Sequence, residues 1–147
     1  MDDHEVADLL EIQQLAVRYM SLSARKEQDQ ARWRAVFTPD AEYHAFGTAY
    51  GLDDFPMLLA GAPAGQYVGN PPLVDLAGDT ATGVQHYVFV DQATHEMRLA
   101  WYDDDYVRTP DGWRIRRRRT TFMRRNGSFD AGKPHDPARH VPGGAAS

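Results

Sequence analysis

Residues 96–123 read EMRLAWYDDDYVRTPDGWRIRRRRTTFM, and this stretch decides the fold. Residues 96–108 and 113–123 each have the length and the aromatic and β-branched content that are typical of a β-strand. Between them, Thr109-Pro110-Asp111-Gly112 combines residues that form tight turns, because proline presets its φ angle and glycine tolerates a positive one. The stretch therefore predicts two long antiparallel strands joined by a tight turn.

The segment before this hairpin predicts further strands. Residues 66–76 are interrupted by Pro71-Pro72, and proline inside a strand indicates a bulge or an unpaired edge. Residues 80–91 follow a turn at 77–79 and contain two alternating sets, Val84, His86, Val88 and Val90 against Gln85, Tyr87 and Phe89. Both faces of this strand are predicted to be covered. We expect His86 to be a hydrogen-bonded core residue and the opposite set to face a pocket.

The N-terminal part of the chain predicts three helices and one strand. A first helix is capped by Asp2 and Asp3, and its apolar stripe is Leu9, Ile12, Ala16 and Tyr19. A second, short helix follows Asp29, includes Phe37 and is stopped by Thr38-Pro39-Asp40, because proline cannot continue a helix. Residues 41–46 predict a strand, and Leu52 opens a third helix. Helices followed by a meander of strands indicate an α+β domain, with the helices on one face of a curved sheet.

The composition excludes several classes of function. The chain has 147 residues, enough for one domain, and no cysteine. It therefore has no disulfide framework, cysteine nucleophile, thiolate metal site or iron–sulfur cluster. The sequence contains no apolar run of the roughly 20 residues that span a membrane, and residues 1–5 are too acidic for a signal peptide. We expect a cytoplasmic protein with no membrane partner. The histidines lack metal-ligand spacing, so no metal site is predicted.

Charge is distributed unevenly along the chain. Residues 1–100 hold 15 acidic and six basic residues, whereas residues 101–147 hold six acidic and ten basic ones. Strict alternation would divide the last strand into two faces, with Arg114, Arg116 and Arg118 on one and Trp113, Ile115 and Arg117 on the other. Cross-strand pairing with the aspartates at 103–105 explains this row, at about 0.2–1 kcal/mol per pair. The acidic pI of about 5.6 disfavours a nucleic-acid partner. Arg118 or Arg124 can alternatively reach a pocket rim and hold an anionic group.

Several short stretches, in this order and spacing, resemble a known family. They are residues 12–19, FTPDAEY at 37–43, GNP at 69–71, GDTA at 78–81, YDDDYVR at 102–108 and GWRI at 112–115. Together they resemble the SnoaL-like family of the nuclear transport factor 2-like (cystatin-like) superfamily. The resemblance implies an α+β cone, in which a strongly curved, mainly antiparallel sheet wraps around N-terminal helices and leaves a deep apolar pocket. It also implies a homodimer and no cofactor. Residues 126–147 are predicted to form a flexible or strap-like tail after a domain at 1–125.

Dehydratase-type members of that family use an aspartate after the first helix and a histidine on the strand that opens the meander. In this sequence no aspartate follows Tyr19 at the family position, and Gln66 stands at the histidine position. Because glutamine cannot accept a proton near neutral pH, the family's acid–base dyad is absent.

Two other residues are candidates for proton transfer. His44 on the first strand is a relocated base if it faces the cavity, and otherwise a half-exposed strand histidine. Asp104 lies between Tyr102 and Tyr106 on one strand face, and it either acts as an acid or base or accepts a structural hydrogen bond. The candidates for ligand contact are Tyr19, Gln66, Asn70, Gln85 and Tyr102.

Two functions remain open from the sequence. The first is a cofactor-free lyase, isomerase or cyclase that acts by acid–base chemistry on a hydrophobic molecule, such as a polycyclic, steroid, polyketide or terpenoid-like compound. The second is a non-catalytic protein of the same fold that binds such a molecule. The orientation of His44 and Asp104 separates the two.

Overall fold

The computed structural model describes residues 1–133. These residues contain three α-helices and eight strands, with a short 3-10 helix, Leu52–Asp54, before the third α-helix. The elements are α1 (Asp3–Ala24), α2 (Gln30–Arg34), β1 (Phe37–Ala45), β2 (Thr48–Tyr50), α3 (Phe55–Gly61), β3 (Gly65–Gly69), β4 (Leu73–Ala77), β5 (Thr80–Asp91), β6 (Met97–Thr109), β7 (Gly112–Met123) and β8 (Phe129–Asp130).

The strands form one curved, unclosed sheet in the order β2-β1-β7-β6-β5-β3, with β4 on β5 and β8 on β7. β1 and β7 are parallel and the other neighbours are antiparallel. Tight turns join β4 to β5 and β6 to β7 at Gly78 and Gly112, both of which have positive φ. The predicted α+β architecture, with helices on one face of a curved sheet, is confirmed.

Helix α1 covers the interior face of the sheet. Asp2 caps it by accepting a hydrogen bond from the Glu5 backbone N–H at 2.8 Å. One helical stripe is buried, including Ile12, Leu15, Ala16 and Tyr19. Tyr19 packs its ring edge-on against the rings of Trp33, Phe37 and Tyr102. The predicted apolar stripe therefore forms the centre of the core.

Strand β7 contains a bulge that corrects the predicted faces of the arginine run. Asp105 pairs with Arg117 and Tyr106 pairs with Ile115, so Arg116 is an extra residue on β7. The extra residue shifts the alternation by one position. Arg118 therefore shares the interior face with Trp113 and Ile115, and its side chain is fully buried. The predicted grouping of Arg118 with Arg114 and Arg116 is wrong.

Strand β1 begins earlier than predicted. Phe37 and Thr38 are buried strand residues, and α2 already ends at Arg34. Pro39 lies where the register between β1 and β7 shifts, between Phe37 and Glu42, and a proline needs no ladder hydrogen bond at such an irregularity. The proline therefore interrupts the pairing inside β1, where the sequence predicted a helix stop.

His86 is exposed on the outer face of the sheet, so its predicted place in the core is wrong. Its ring lies 5.5 Å from that of Trp101 on β6. The opposite set on β5, Gln85, Tyr87 and Phe89, is buried, whereas Val84, Val88 and Val90 are only partly covered, so the prediction that both faces are covered holds for the interior face alone. Beyond β7, Phe129–Asp130 pairs with Phe122 and Met123. The rest of the predicted tail, residues 134–147, lies outside the described residues, and the predicted domain boundary stays a prediction.

Candidate aromatic pocket

A pocket of about 320 Å³ opens between α3, the β1–β2 hairpin and the interior face of β3, β5 and β6. Eight of its wall residues are aromatic, so most of the contact surface for a ligand is provided by tyrosine and phenylalanine rings. The described wall residues are Tyr43, Phe46, Tyr50, Leu58, Gly61, Ala62, Pro63, Tyr67, Tyr87, Phe89, Arg98, Tyr102, Phe122 and Lys133.

The rings of the wall hold one another in place. Tyr87 stacks on Tyr102 at 4.3 Å between ring centroids and 15° between ring planes. Tyr67 meets Phe89 edge-on at 4.9 Å. The Tyr43 hydroxyl lies 3.0 Å from the hydroxyl of Thr120. Aromatic pairs of this kind resist collapse of the wall, because each ring is fixed by its neighbours and by its strand.

Burial keeps the tyrosine hydroxyls of this region neutral. It raises the pKa of Tyr43, Tyr67, Tyr87 and Tyr102 above the usual value of 10. Burial also raises the pKa of Tyr19 to about 12, against the opposing charge of Arg118. A neutral phenol donates one hydrogen bond and can accept others. The wall therefore offers hydrogen-bond donors, and none of these groups is a base near neutral pH.

Asp104 faces the interior but is occupied by an ion pair behind the wall. Arg118 donates to both carboxylate oxygens of Asp104, from Nε and Nη2, at 2.7 Å each. The Tyr106 hydroxyl donates to Asp104 Oδ2 at 2.8 Å. Burial disfavours the charge on Arg118, but the Asp104 carboxylate outweighs it and holds the pKa of Arg118 above its usual value. Asp104 thus has the structural role that the sequence left open, and it is not a wall residue.

His44 lies on the outward face of β1 and does not face the cavity. Its neighbours Tyr43 and Ala45 are buried, whereas the His44 side chain is 32% exposed and lies 3.1 Å from Glu42 Oε1. Alternation along a strand places adjacent residues on opposite faces. His44 is the half-exposed strand histidine of the second interpretation.

Only Tyr102 among the five predicted ligand contacts lies in the wall. Gln66 and Asn70 are exposed, and Gln66 faces outward because its neighbour Tyr67 points inward. Gln85 is buried and donates through Nε2 to the Asn70 carbonyl at 2.8 Å. Tyr19 is a core residue beneath the wall. The predicted ligand contacts of these four residues are not supported by their positions.

Sequence reasoning missed Tyr43, Tyr67 and Arg98. Counting in steps of two from Tyr102 leads through the buried Ala100 to Arg98 on the same face of β6. The same count from Tyr87 and Phe89, through the β3–β5 register, leads to Tyr67. The alternation alone thus indicates Arg98, whereas Tyr67 follows only once the pairing of β3 with β5 is known.

Within residues 1–133, no group of three or more potential ligand side chains is arranged to hold a metal ion. Among the helices of the same described range, none has the length and apolar character needed to cross a membrane.

Comparison with known proteins identifies the family. A family model described as a SnoaL-like domain matches residues 4–119. The chain belongs to the SnoaL-like domain family. Uncharacterized protein Rv2910c of Mycobacterium tuberculosis is 40% identical over 132 residues, covering 78% of this chain and 84% of that relative.

Solved structures agree with a SnoaL-like domain in the cystatin-like fold. An NTF2-like protein with a cystatin-like fold from Novosphingobium aromaticivorans superposes with a TM-score of 0.74 at 26% identity, covering 85% of this chain and 86% of that one. The hexachlorocyclohexane dehydrochlorinase LinA Type2 has a TM-score of 0.68 at 15% identity, covering 85% and 88%. The second similarity is one of fold alone.

Proposed function

We propose that this SnoaL-like protein binds a small, largely apolar ring compound in the aromatic pocket and does not transform it. One observation carries the proposal: the described wall residues include eight aromatic side chains but no carboxylate and no histidine. Proton abstraction from carbon needs a base within reach of the substrate. His44 faces outward and Asp104 is held by Arg118, so neither supplies that base from the wall.

The size and chemistry of the pocket support a ligand of a few fused or linked rings. Its volume of about 320 Å³ falls at the lower end of the range for small-molecule sites. Ring stacking on Tyr87 and edge contacts with Phe89 would contribute most of the binding free energy. The tyrosine hydroxyls would orient an oxygen atom of the ligand by hydrogen bonding.

A matched pair of substitutions on α3 tests the proposal. Leu58 lies in the wall, whereas its neighbour Met57 is 75% exposed. Leu58→Trp places a large ring in the cavity, and Met57→Trp adds the same ring at the surface. We expect the neutral fluorescent probe N-phenylnaphthylamine to bind the unmodified protein and Met57→Trp alike, and to bind Leu58→Trp about tenfold more weakly or not at all.

Equal probe affinity in all three proteins would place the binding site elsewhere and overturn the proposal. A His44→Ala variant serves as a second control. Since His44 is outside the wall, its removal should leave the probe affinity unchanged. Circular dichroism spectra of each variant establish that the fold is retained.

A cofactor-free lyase or isomerase is the second candidate, and the neutral tyrosine hydroxyls favour it. Hydrogen-bond donors that point at a developing oxyanion stabilise a transition state. Incubation of the protein with candidate ring compounds, followed by chromatography, tests for turnover. A product that forms with the unmodified protein and not with Tyr87→Phe would establish the enzyme and overturn the binding-only proposal.

A further inference from the structure

We propose that the ligand of this pocket carries a negatively charged group, and that Arg98 binds that group. This inference rests on the proposed function, because it specifies the ligand of the same pocket. The occupant would be an aromatic or alicyclic compound with one anionic substituent, such as a carboxylate or a sulfonate. Its apolar rings would lie between the tyrosines, and its anionic group would contact the guanidinium of Arg98.

Arg98 is on the interior face of the sheet, which is an unusual place for a cation. It pairs with Phe89 across β5 and β6, and its guanidinium carbon lies 4.1 Å from the centre of the Phe89 ring. The side chain is partly buried and belongs to the pocket wall. The contact with Phe89 is a cation–π interaction that fixes the guanidinium plane on one side. The edges of the guanidinium, which carry its N–H donors, are not used by this contact.

Arg98 differs from three other arginines in or next to the sheet, because each of those forms an ion pair with an aspartate. Arg118 pairs with Asp104, Arg108 with Asp8 and Asp79, and Arg124 with Asp130. Within residues 1–133, Arg98 makes neither an ion pair nor a side-chain hydrogen bond. Five N–H donors of a partly desolvated cation are thus available to a molecule in the pocket.

The charge of Arg98 acts on the carboxylate of Asp91, but that carboxylate is hydrogen-bonded within its own turn. Asp91 Oδ1 accepts hydrogen bonds from the backbone N–H groups of Ala93 and Thr94, at 2.8 and 3.1 Å. These bonds are the main reason that the pKa of Asp91 is lowered, and Arg98 contributes least. Asp91 therefore stabilises its own turn and does not neutralise the pocket.

The rest of the wall reinforces a preference for anions. Lys133 adds a second cation, and the described wall residues include no carboxylate. Tyr67 and Tyr87 line the same pocket as Arg98; burial raises the pKa of both hydroxyls, and the charge of Arg98 opposes that shift. A cavity with charges of one sign and low-dielectric walls concentrates the opposite charge. Guanidinium groups bind planar anions such as carboxylates through paired hydrogen bonds.

A structural role for Arg98 makes a different prediction. If its only task is to cover the Phe89 ring, its removal weakens anionic and neutral ligands to the same extent. The two roles are therefore separated by a pair of probes that share one apolar body. Anilinonaphthalene sulfonate and N-phenylnaphthylamine form such a pair, because they differ by a sulfonate group.

The experiment compares the fluorescence-detected Kd of both probes in four proteins. They are the unmodified protein, Arg98→Gln, Arg98→Lys and Arg119→Gln, where Arg119 is an exposed arginine outside the wall. We expect Arg98→Gln to weaken the sulfonate probe about tenfold or more and to leave the neutral probe unchanged. Arg98→Lys, which keeps the charge but not the paired geometry, should give an intermediate Kd. Arg119→Gln should change neither.

Three results would contradict the inference. An unchanged ratio of the two Kd values in Arg98→Gln would assign Arg98 a structural role. The same loss in Arg119→Gln would mean that net charge, and not a site, attracts the anion. Sulfonate binding that persists in Leu58→Trp would place the anion site outside the pocket. By contrast, failure of both probes to bind the unmodified protein would overturn the proposed function itself.

Discussion

Asp104 and Arg118 form an ion pair in which both side chains are fully buried. The guanidinium carbon of Arg118 also lies 3.9 Å from the centre of the Tyr102 ring and 4.3 Å from that of Tyr19. A buried pair of this kind adds little net free energy, because desolvation of both charges offsets their attraction. Its importance is that each partner makes burial of the other tolerable.

We therefore predict that Asp104→Asn lowers the free energy of unfolding by about 3–5 kcal/mol, because it leaves Arg118 as an uncompensated buried charge. Urea denaturation followed by circular dichroism measures the effect. Asp105→Asn is the matched control, since Asp105 is the next residue along β6 and is exposed. Similar destabilisation by the two substitutions would contradict the argument.

For single residues, the sequence predicted the interior positions of β6 but not those of β1 and β3. Tyr102, Asp104 and Tyr106 share the interior face of β6, as their spacing indicated. His44 and Gln66 were assigned by analogy with sites in relatives, and each lies one position away from an inward tyrosine. Because strand alternation has a period of two, an error of one residue exchanges the two faces.

Among the elements, β7 shows how a bulge sets the interior chemistry. Arg116 is the additional residue opposite the Asp105–Tyr106 junction, and it is exposed. Because of this residue, Trp113 and Ile115 before the bulge face inward together with Arg118, Thr120 and Phe122 after it. In a regular strand of the same sequence, strict alternation would instead turn Arg117 and Arg119 toward the core.

Deletion of Arg116 would leave a regular strand with the same side chains facing inward, so we expect this variant to retain cooperative unfolding. Deletion of Thr121, between the inward Thr120 and Phe122, should abolish it, because Phe122 then turns outward or Arg117 and Arg119 turn inward. Denaturant titrations of the two variants provide the comparison. The first deletion removes the residue that has no partner on β6, whereas the second removes a residue from a part of β7 that pairs regularly. Loss of cooperative unfolding in the Arg116 deletion, or its retention in the Thr121 deletion, would contradict this account of the bulge.

The bulge also marks the limit of what this sequence predicts about its elements. Helix α1, the long strands β5, β6 and β7, and their turns follow from periodicity and from Gly and Pro positions. The bulge at Arg116 and the early start of β1 at Phe37 depend on how β7 pairs with both neighbours. That pairing is a tertiary property that no local pattern in β7 records.

For the molecule as a whole, the outer face of the sheet carries exposed apolar side chains. Leu99 is 44% exposed and Met97 is 68% exposed on β6. Val88 and Trp101 are partly exposed on the same face. Apolar side chains grouped in this way are typical of protein contact surfaces. They support the homodimer that the family resemblance implies, which stays a prediction until the mass in solution is measured.

The attachment of α1 to β6 and β7 beside their connecting turn is a second feature of the whole molecule. Arg108 on β6 donates to both oxygens of Asp8, at 2.8 and 2.7 Å, and the Trp113 indole N–H donates to Asp8 Oδ1 at 3.0 Å. These hydrogen bonds, with that of Arg108 the largest contribution, hold the pKa of Asp8 below its usual value. The folded protein therefore stabilises the charged form of Asp8 relative to the protonated form.

The sign of the pH dependence follows from that direction. A carboxyl group with a lowered pKa stabilises the fold above its unfolded value of about 3.9, and this stabilisation is lost as the pH falls through the folded value. We predict that Asp8→Asn lowers the thermal midpoint at pH 7 and that its difference from the unmodified protein shrinks toward pH 3. Asp105→Asn, which removes a carboxylate without an ion pair in residues 1–133, should show no comparable convergence. A difference for Asp8→Asn that is the same at both pH values would mean that α1 is attached by packing and not by this charge.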